Sequence, residues 1–255
     1  MLFEPQALHA QNQIKEPMMN RATFYAALRK RNSGVFGTSI SQGQVDGLDA
    51  ILNEAEKRRT PLKWLAYILA TAYHETAHTM QPVREFGGPK YFKRYEGRRD
   101  LGNVTPGDGV KFHGRGYVQI TGRSNYADWT NRLGIDLISR PDRTLEHIIA
   151  MRIMFDGMEK GTFTGKALDD YTDYVSMRRI INGTDKASLI AGYAVAFEKA
   201  LREAGYGLWA APKPVVLDPF KDIVQEVPPI PKSEAKPHWF AALFAAFRAF
   251  FAQKG

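Results

Sequence analysis

Apolar residues recur at helical spacing through most of the first 210 residues of the chain. The clearest pattern covers residues 61–81, where Pro61 suits the first turn of a helix and Pro82 prevents its continuation. Six further helices are predicted, at residues 24–29, 42–58, 128–133, 145–160, 171–181 and 189–204. The pattern therefore predicts a mainly α domain.

The composition changes after Trp209. Residues 211–237 contain seven of the 14 prolines, which predicts an extended, proline-rich linker without a core of its own. Residues 238–255 then form a predicted amphipathic helix with phenylalanines on one face. Its apolar part, at about 1.5 Å per residue, is roughly 24 Å long and too short to span a bilayer. We expect it to lie at a membrane surface, with docking on the domain or dimerisation as the alternative.

The first 17 residues, the net charge and the cysteine content add further expectations. Residues 1–17 lack the basic start and apolar run of a secretory signal, and we expect a poorly ordered extension before a domain at 18–210. The 35 basic and 27 acidic residues give a net charge of +8, which favours an anionic partner. With no cysteine, disulfides and thiol catalysis are excluded, and the composition suits a reducing cytoplasm.

A carboxylate lies near the end of the predicted helix at 61–81. Ile68, Ala72 and Glu75 share one stripe, so Glu75 continues a buried face. A carboxyl group in partly apolar surroundings resists ionisation, as a general acid must. A carboxylate that only caps or pairs at the helix end is the alternative. Glu85 lies on the loop that follows and can face Glu75 across a gap.

The same segment contains a pattern of another class. His74, Glu75 and His78 fit H-E-x-x-H, in which two histidines bind zinc and the glutamate activates water. The third ligand would have to be Glu85 or Glu96, and no third-histidine signature follows His78. A zinc peptidase is therefore the lesser alternative.

A second polar segment, residues 113–126, places Tyr117, Gln119 and Thr121 toward one side if it is extended. With these residues the chain resembles glycoside hydrolase family 19, the plant-type chitinases, and more closely the related phage and prophage endolysins. The matching pieces, in chain order, are HET (74–76), the glutamate at 85, LGN and PGDG (101–109), GRGYVQITGRSNY (114–126) and RRIING (178–183).

The resemblance implies a lysozyme-like fold and inverting hydrolysis of a β-1,4 bond to an N-acetylated sugar. It implies that Glu75 is the general acid and Glu85 the base that activates water, with Thr121 helping to hold that water. Inversion requires the two carboxyl groups to lie roughly 6.5 to 9.5 Å apart. The spacing in plant-type members makes Glu96 a rival base.

Four residues match substrate-binding positions of the family: Tyr117, Gln119, Asn125 and Asn182. Without the resemblance, an asparagine such as Asn182 before a glycine is more often a helix stop. The mechanism requires no metal or organic cofactor. The chain departs from the family at residues 74–78, where HETAH replaces the usual HETGG or HESGG.

The resemblance also implies partners and a location. The resemblance implies that the protein accumulates in the host cytoplasm and is released by a holin. It would then cut peptidoglycan glycan strands in the periplasm. Residues 238–255 would contact the bacterial membrane or lipopolysaccharide. The basic and aromatic stretch at 84–99 could bind nucleic acid, but no nucleic-acid motif accompanies it, and a glycan is favoured. We expect a monomer. A chitinase acting on N-acetylglucosamine polymers and a non-enzymatic membrane-disrupting protein are further alternatives.

Overall fold

A computed structural model describes residues 19–208 of the chain. The predictions for residues 1–17, 211–237 and 238–255 lie outside the described residues. Within them the protein is mainly helical, which confirms the predicted fold class. No helix of this part is long and apolar enough to cross a membrane.

Short antiparallel strands accompany the helices. The helices are α1 (Arg21–Leu28), α2 (Gln42–Arg58), α3 (Leu62–Glu75), α4 (Pro89–Phe92), α5 (Asp108–Lys111), α6 (Arg123–Leu133), α7 (His147–Glu159) and α8 (Ala187–Glu203). Short 3-10 helices cover Lys93–Tyr95, Arg99–Leu101, Pro141–Leu145, Leu168–Asp170 and Ser176–Ile180. The strands β1 (Val83–Arg84) and β2 (Arg115–Gly116) pair with Val83 opposite Gly116.

Helix α2 has the predicted bounds because its start is encoded locally. The hydroxyl of Ser41 accepts from the backbone N–H of Gln44, whose side chain accepts from the N–H of Ser41. This capping box satisfies two N–H groups that a helix start leaves open. Gly47, in the same helix, lies against the loop after α3, because an added Cβ would stand 1.8 Å from the carbonyl oxygen of Met80.

Helix α3 is the centre of the core. Its residues from Leu65 to Tyr73 are buried on every face, since α8 packs along it and α2 and α7 also contact it. A helix that is apolar all round needs such enclosure. Glu75, its last residue, is therefore carried on the most enclosed element of the described domain.

Helix α3 ends six residues earlier than the limit predicted from Pro82. Ala77, His78 and Met80 have φ angles of +52°, +68° and +57°, in the left-handed region. The N–H of His78 donates to the carbonyl of Tyr73 (2.8 Å), a bond of the kind that closes helix ends. Non-glycine residues form this turn. Residue propensities for turns do not predict left-handed angles at such positions.

The helix predicted at 171–181 is also shorter than expected. The side chain of Asp173 accepts from the backbone N–H of Ser176 (2.8 Å), and only the 3-10 helix Ser176–Ile180 forms. This turn brings Arg178 into the core, where its side chain is fully buried.

Candidate active site

Glu75 stands at the end of α3 and is buried, as predicted. Its Oε1 accepts a hydrogen bond from Nη1 of Arg178 at 2.7 Å, and the exposed fractions of the two side chains are 5% and 0%. The partly apolar surroundings predicted for Glu75 therefore contain a guanidinium group. A buried pair of opposite charges holds both groups in place, because either one alone would be costly to bury.

Arg178 was not assigned a role from the sequence. Its Nε donates to the carbonyl of Asp185 (2.9 Å), which fixes the guanidinium from the side away from Glu75. The two partners in the ion pair are 103 residues apart, so no local pattern links them. The RRIING segment was the available signal, but it does not say which arginine points inward.

Glu85 follows β1 directly and is also buried. Its Oε1 accepts from the hydroxyl of Tyr95 (2.6 Å), and its Oε2 accepts from the backbone N–H of Gly114 (3.0 Å). The N–H of Glu85 in turn donates to the carbonyl of Gly114 (2.8 Å), which continues the β1–β2 pairing. Each carboxylate oxygen is thus held by a separate donor.

Burial raises the pKa of Glu85 above its ordinary value. The hydroxyl of Tyr95 and the N–H of Gly114 act in the opposite direction, as do the charges of Arg94 and Arg115. Burial disfavours the ionised form, whereas donors and positive charges favour it. Burial therefore favours the protonated form of Glu85, and the neighbouring donors and positive charges favour its ionised form.

The second polar segment is a tight loop, so it is not extended, the condition under which Tyr117, Gln119 and Thr121 would face one side. Arg115 and Ile120 form an isolated bridge around a turn, and Gln119 has a φ of +54°. The amide Nε2 of Gln119 donates to the carbonyls of Val83 (2.8 Å) and Gly116 (2.9 Å). These bonds tie the loop to both short strands.

Gln119 and Glu85 both lie next to the position that a side chain on Gly114 would occupy. A methyl group on Gly114 would stand 3.0 Å from Oε1 of Gln119 and 3.2 Å from Oε2 of Glu85. Oε1 of Gln119 is buried and has no hydrogen-bond partner in the described part of the chain. A buried acceptor without a donor is unusual and is costly unless something supplies the donor.

Two other residues of this loop are fully buried. Tyr117 is fully buried, and its hydroxyl contacts the carbonyl of Met80 (3.3 Å) and Nδ1 of His147 (3.2 Å). The ring therefore supports the loop from behind and is not exposed for the predicted contact with a substrate. Thr121 is also buried, and its hydroxyl donates to the carbonyl of Gln119 (3.1 Å).

The remaining predicted binding residues are half-buried asparagines. Nδ2 of Asn125 donates to the carbonyl of Thr121 (2.6 Å), one turn back across the start of α6. The backbone N–H of Asn182 donates to the carbonyl of Arg178 (2.8 Å), and its side chain stands just beyond the 3-10 helix. Asn182 is therefore adjacent to the segment that carries the partner of Glu75.

Glu96, the rival base, is exposed and holds a loop. Its Oε1 and Oε2 accept from the backbone N–H groups of Gly107 (2.6 Å) and Gly109 (2.9 Å) at the start of α5. Carboxylates commonly occupy this position at helix starts. The contacts of Glu96 are those of a structural residue, whereas Glu85 is buried.

The H-E-x-x-H pattern does not form the arrangement that zinc requires. That arrangement places both histidines on one face of a helix, but α3 ends at Glu75 and His78 lies in the turn beyond it. The ring of His78 instead stacks on Tyr73, with centroids 4.0 Å apart. Within residues 19–208 no group of three or more potential ligands is placed to hold a metal ion.

Comparison with protein-family models and with curated protein sequences gives no match. Among solved structures, the chain is similar to chitinase C from Streptomyces griseus HUT6037, with a TM-score of 0.52 and 18% sequence identity. The alignment covers 74% of this chain and 94% of the chitinase chain. The protein therefore shares its fold with this chitinase, in agreement with the predicted lysozyme-like class.

Proposed function

We propose that the protein is a glycoside hydrolase that cleaves β-1,4 bonds to N-acetylated sugars with inversion. One observation carries this proposal: two buried carboxylates, Glu75 and Glu85, stand on separate segments and are each held by donors from distant parts of the chain. The fold shared with a chitinase supports the same class of reaction. Because one fold can host many reactions, the carboxylates carry more weight than the fold.

In the proposed reaction a water molecule attacks the anomeric carbon as the glycosidic C–O bond breaks. Glu75 gives its proton to the leaving oxygen, and Glu85 accepts a proton from the water, so each product ends in a hydroxyl group. Arg178 engages Oε1 of Glu75, and in the proposed reaction the transferred proton is carried on Oε2. The required separation of the carboxyl groups, roughly 6.5 to 9.5 Å, stays a prediction.

Gln119 is proposed as a substrate-binding residue; the residue is 1% exposed, so the loop would have to open for a sugar to reach it. Its buried Oε1 lacks a donor, and an acetamido N–H or a sugar hydroxyl could supply one. Asn125 and Asn182 are proposed to bind sugar groups through their half-buried amides. We propose that Thr121 accepts a hydrogen bond from the attacking water, since its hydroxyl keeps acceptor capacity after donating to Gln119.

Within this class we propose that the protein is an endolysin acting on peptidoglycan. The net charge of +8 favours a polymer that carries peptide carboxylates over an uncharged one. The motif resemblance to phage and prophage endolysins supports the same choice. On this proposal the enzyme depends on a holin for access to the cell wall, and residues 238–255 contact the bacterial membrane or lipopolysaccharide.

A chitinase is the second candidate. The solved structure to which the chain is similar is described as a chitinase, and this supports a substrate of N-acetylglucosamine polymers equally well. The chemistry of the two candidates is the same. They differ in whether the cleft accepts peptide-substituted muramic acid.

The test is hydrolysis of purified peptidoglycan and of chitin oligomers by wild type, Glu75→Gln, Glu85→Gln and Glu96→Gln, each with and without EDTA. Loss of either catalytic carboxylate should lower the rate by about 100-fold or more. Cleavage of peptidoglycan alone supports the endolysin, and cleavage of chitin alone supports the chitinase. Activity that survives Glu75→Gln would refute the proposal, and loss of activity in EDTA would favour the zinc peptidase.

The tail has a separate test. Removal of residues 238–255 should leave hydrolysis of soluble glycan fragments unchanged and should lower lysis of intact Gram-negative cells. Cell lysis that survives Glu75→Gln and is lost on removal of residues 238–255 would indicate the non-enzymatic alternative.

A further inference from the structure

Glu85 is approached by a chain of two residues that the sequence resemblance does not assign. Tyr95 is 1% exposed, and its hydroxyl stands 2.6 Å from Oε1 of Glu85. Nη2 of Arg94 stands 3.0 Å from the same tyrosine oxygen. The three groups therefore form a line from the surface to the carboxylate.

The direction of the hydrogen bonds in this line follows from chemistry. A guanidinium group has only donors, so the oxygen of Tyr95 must accept from Arg94. Its own proton is then directed to Glu85, because of the other two groups only the carboxyl group can accept it. A cationic donor polarises the hydroxyl and strengthens the bond that the hydroxyl gives.

Arg94 is fixed in place although its residue is exposed. Its guanidinium lies over the rings of Tyr91 and Tyr95, at 4.3 Å and 4.8 Å from the ring centroids. The backbone of Gly87 packs against the Tyr91 ring, where an added Cβ would stand 2.5 Å from Cδ1. The guanidinium is therefore held by two aromatic faces and a hydrogen bond.

We propose that Arg94 and Tyr95 are positioning residues for the base, forming a relay that orients Glu85 and keeps it ionised for proton abstraction from water. The inference rests on the proposed function, since it assigns these residues to the same reaction. The relay engages Oε1 of Glu85 and Gly114 engages Oε2, so each oxygen keeps further acceptor capacity for the water.

The charges around Glu85 agree with such a role. Burial raises the pKa of Glu85, and the hydroxyl of Tyr95 is the first of the groups that oppose it. The others are the N–H of Gly114 and the charges of Arg94 and Arg115. Of these, Arg115 is already committed to Asp142, Tyr126 and backbone carbonyls. A substitution of Arg94 or Tyr95 therefore changes the surroundings of Glu85 without removing the bonds of Arg115.

The test is the pH dependence of kcat for wild type, Tyr95→Phe and Arg94→Met on the glycan that the wild type cleaves. Tyr95→Phe should move the acid limb of kcat to higher pH and lower kcat on that side about tenfold, because a hydrogen bond to a charged group is lost. KM should stay close to the wild-type value. Arg94→Met should move the limb in the same direction by less, and Arg94→Lys should restore part of the shift.

Matched controls lie away from the site. Tyr206→Phe removes another buried tyrosine hydroxyl, which donates to the carbonyl of Thr60 (2.8 Å). Arg31→Met removes an exposed, positively charged side chain in the turn after α1. Both should keep the wild-type acid limb. An unshifted limb in Tyr95→Phe, together with an unshifted titration of Glu85, would overturn the relay.

Titration of the Glu85 carboxyl carbon by NMR separates this result from failure of the proposed function. A titration that moves to higher pH in Tyr95→Phe, together with a shifted kcat limb, supports the inference. A titration that moves while the limb does not would show that Glu85 is not the base. A titration that does not move would overturn the relay even if the wild type cleaves no glycan.

Discussion

Replacement of Arg178 by methionine tests the ion pair that holds Glu75. The side chains of Arg178 and Glu75 are 0% and 5% exposed and lie 2.7 Å apart, so solvent screens the pair very little. Arg178→Met leaves Glu75 buried without its partner, and removal of one member of a buried pair costs about 3–5 kcal/mol. The lost bond to the carbonyl of Asp185 adds about 1 kcal/mol.

The measurement is the free energy of unfolding from urea titration followed by circular dichroism. Arg202→Met is the matched control, because Arg202 pairs with Glu198 on an exposed face of α8 and should lose less than about 1 kcal/mol. The double variant Glu75→Gln with Arg178→Met should lose clearly less than the sum of the single variants. A loss for Arg178→Met no larger than that of Arg202→Met, or strict additivity, would refute this account.

Three further predictions concern stability. Gly47→Ala should destabilise the protein by about 1–3 kcal/mol because its Cβ would meet the Met80 carbonyl, whereas Gly43→Ala, with open space, should be neutral or stabilising on urea unfolding. Ala77→Gly should gain up to about 1 kcal/mol, since glycine adopts a φ of +52° without strain; a clear loss would contradict this. Burial lowers the pKa of His113 from 6.5 to about 4, so the unfolded chain binds more protons between these values. Stability should fall by up to about 3 kcal/mol as pH drops through that window, and His113→Phe should flatten the fall.

The parts of the fold that local rules determine could be predicted from the sequence. Helix α2 has its predicted bounds because Ser41 and Gln44 encode its start and an apolar stripe defines its buried face. The burial of Glu75 follows from the same spacing rule applied to α3. Hydrophobic periodicity does not predict the burial of Glu85. Its predicted role as the base came from the motif resemblance.

The parts that depend on distant contacts could not be predicted. The turn at residues 76–80 adopts left-handed angles at non-glycine residues, and Gly47 lets the Met80 backbone approach α2 closely. Arg178 reaches Glu75 over 103 residues of chain. The burial of Tyr117 depends on His147, which no spacing within the loop indicates. In each case a partner from another segment decides the outcome.

The enclosure of α3 also bears on how the two carboxylates respond to a bound glycan. Backbone amides in the middle of α3 should exchange with deuterium only when the whole domain unfolds, because the helix is covered on every face. The two-residue strands β1 and β2 have few bonds to break and should exchange through local opening. Glu75 thus ends the helix that is expected to exchange most slowly, while Glu85 follows a segment that is expected to open locally. Adjustment to different sugar chains is expected at Glu85, with Glu75 as the fixed point.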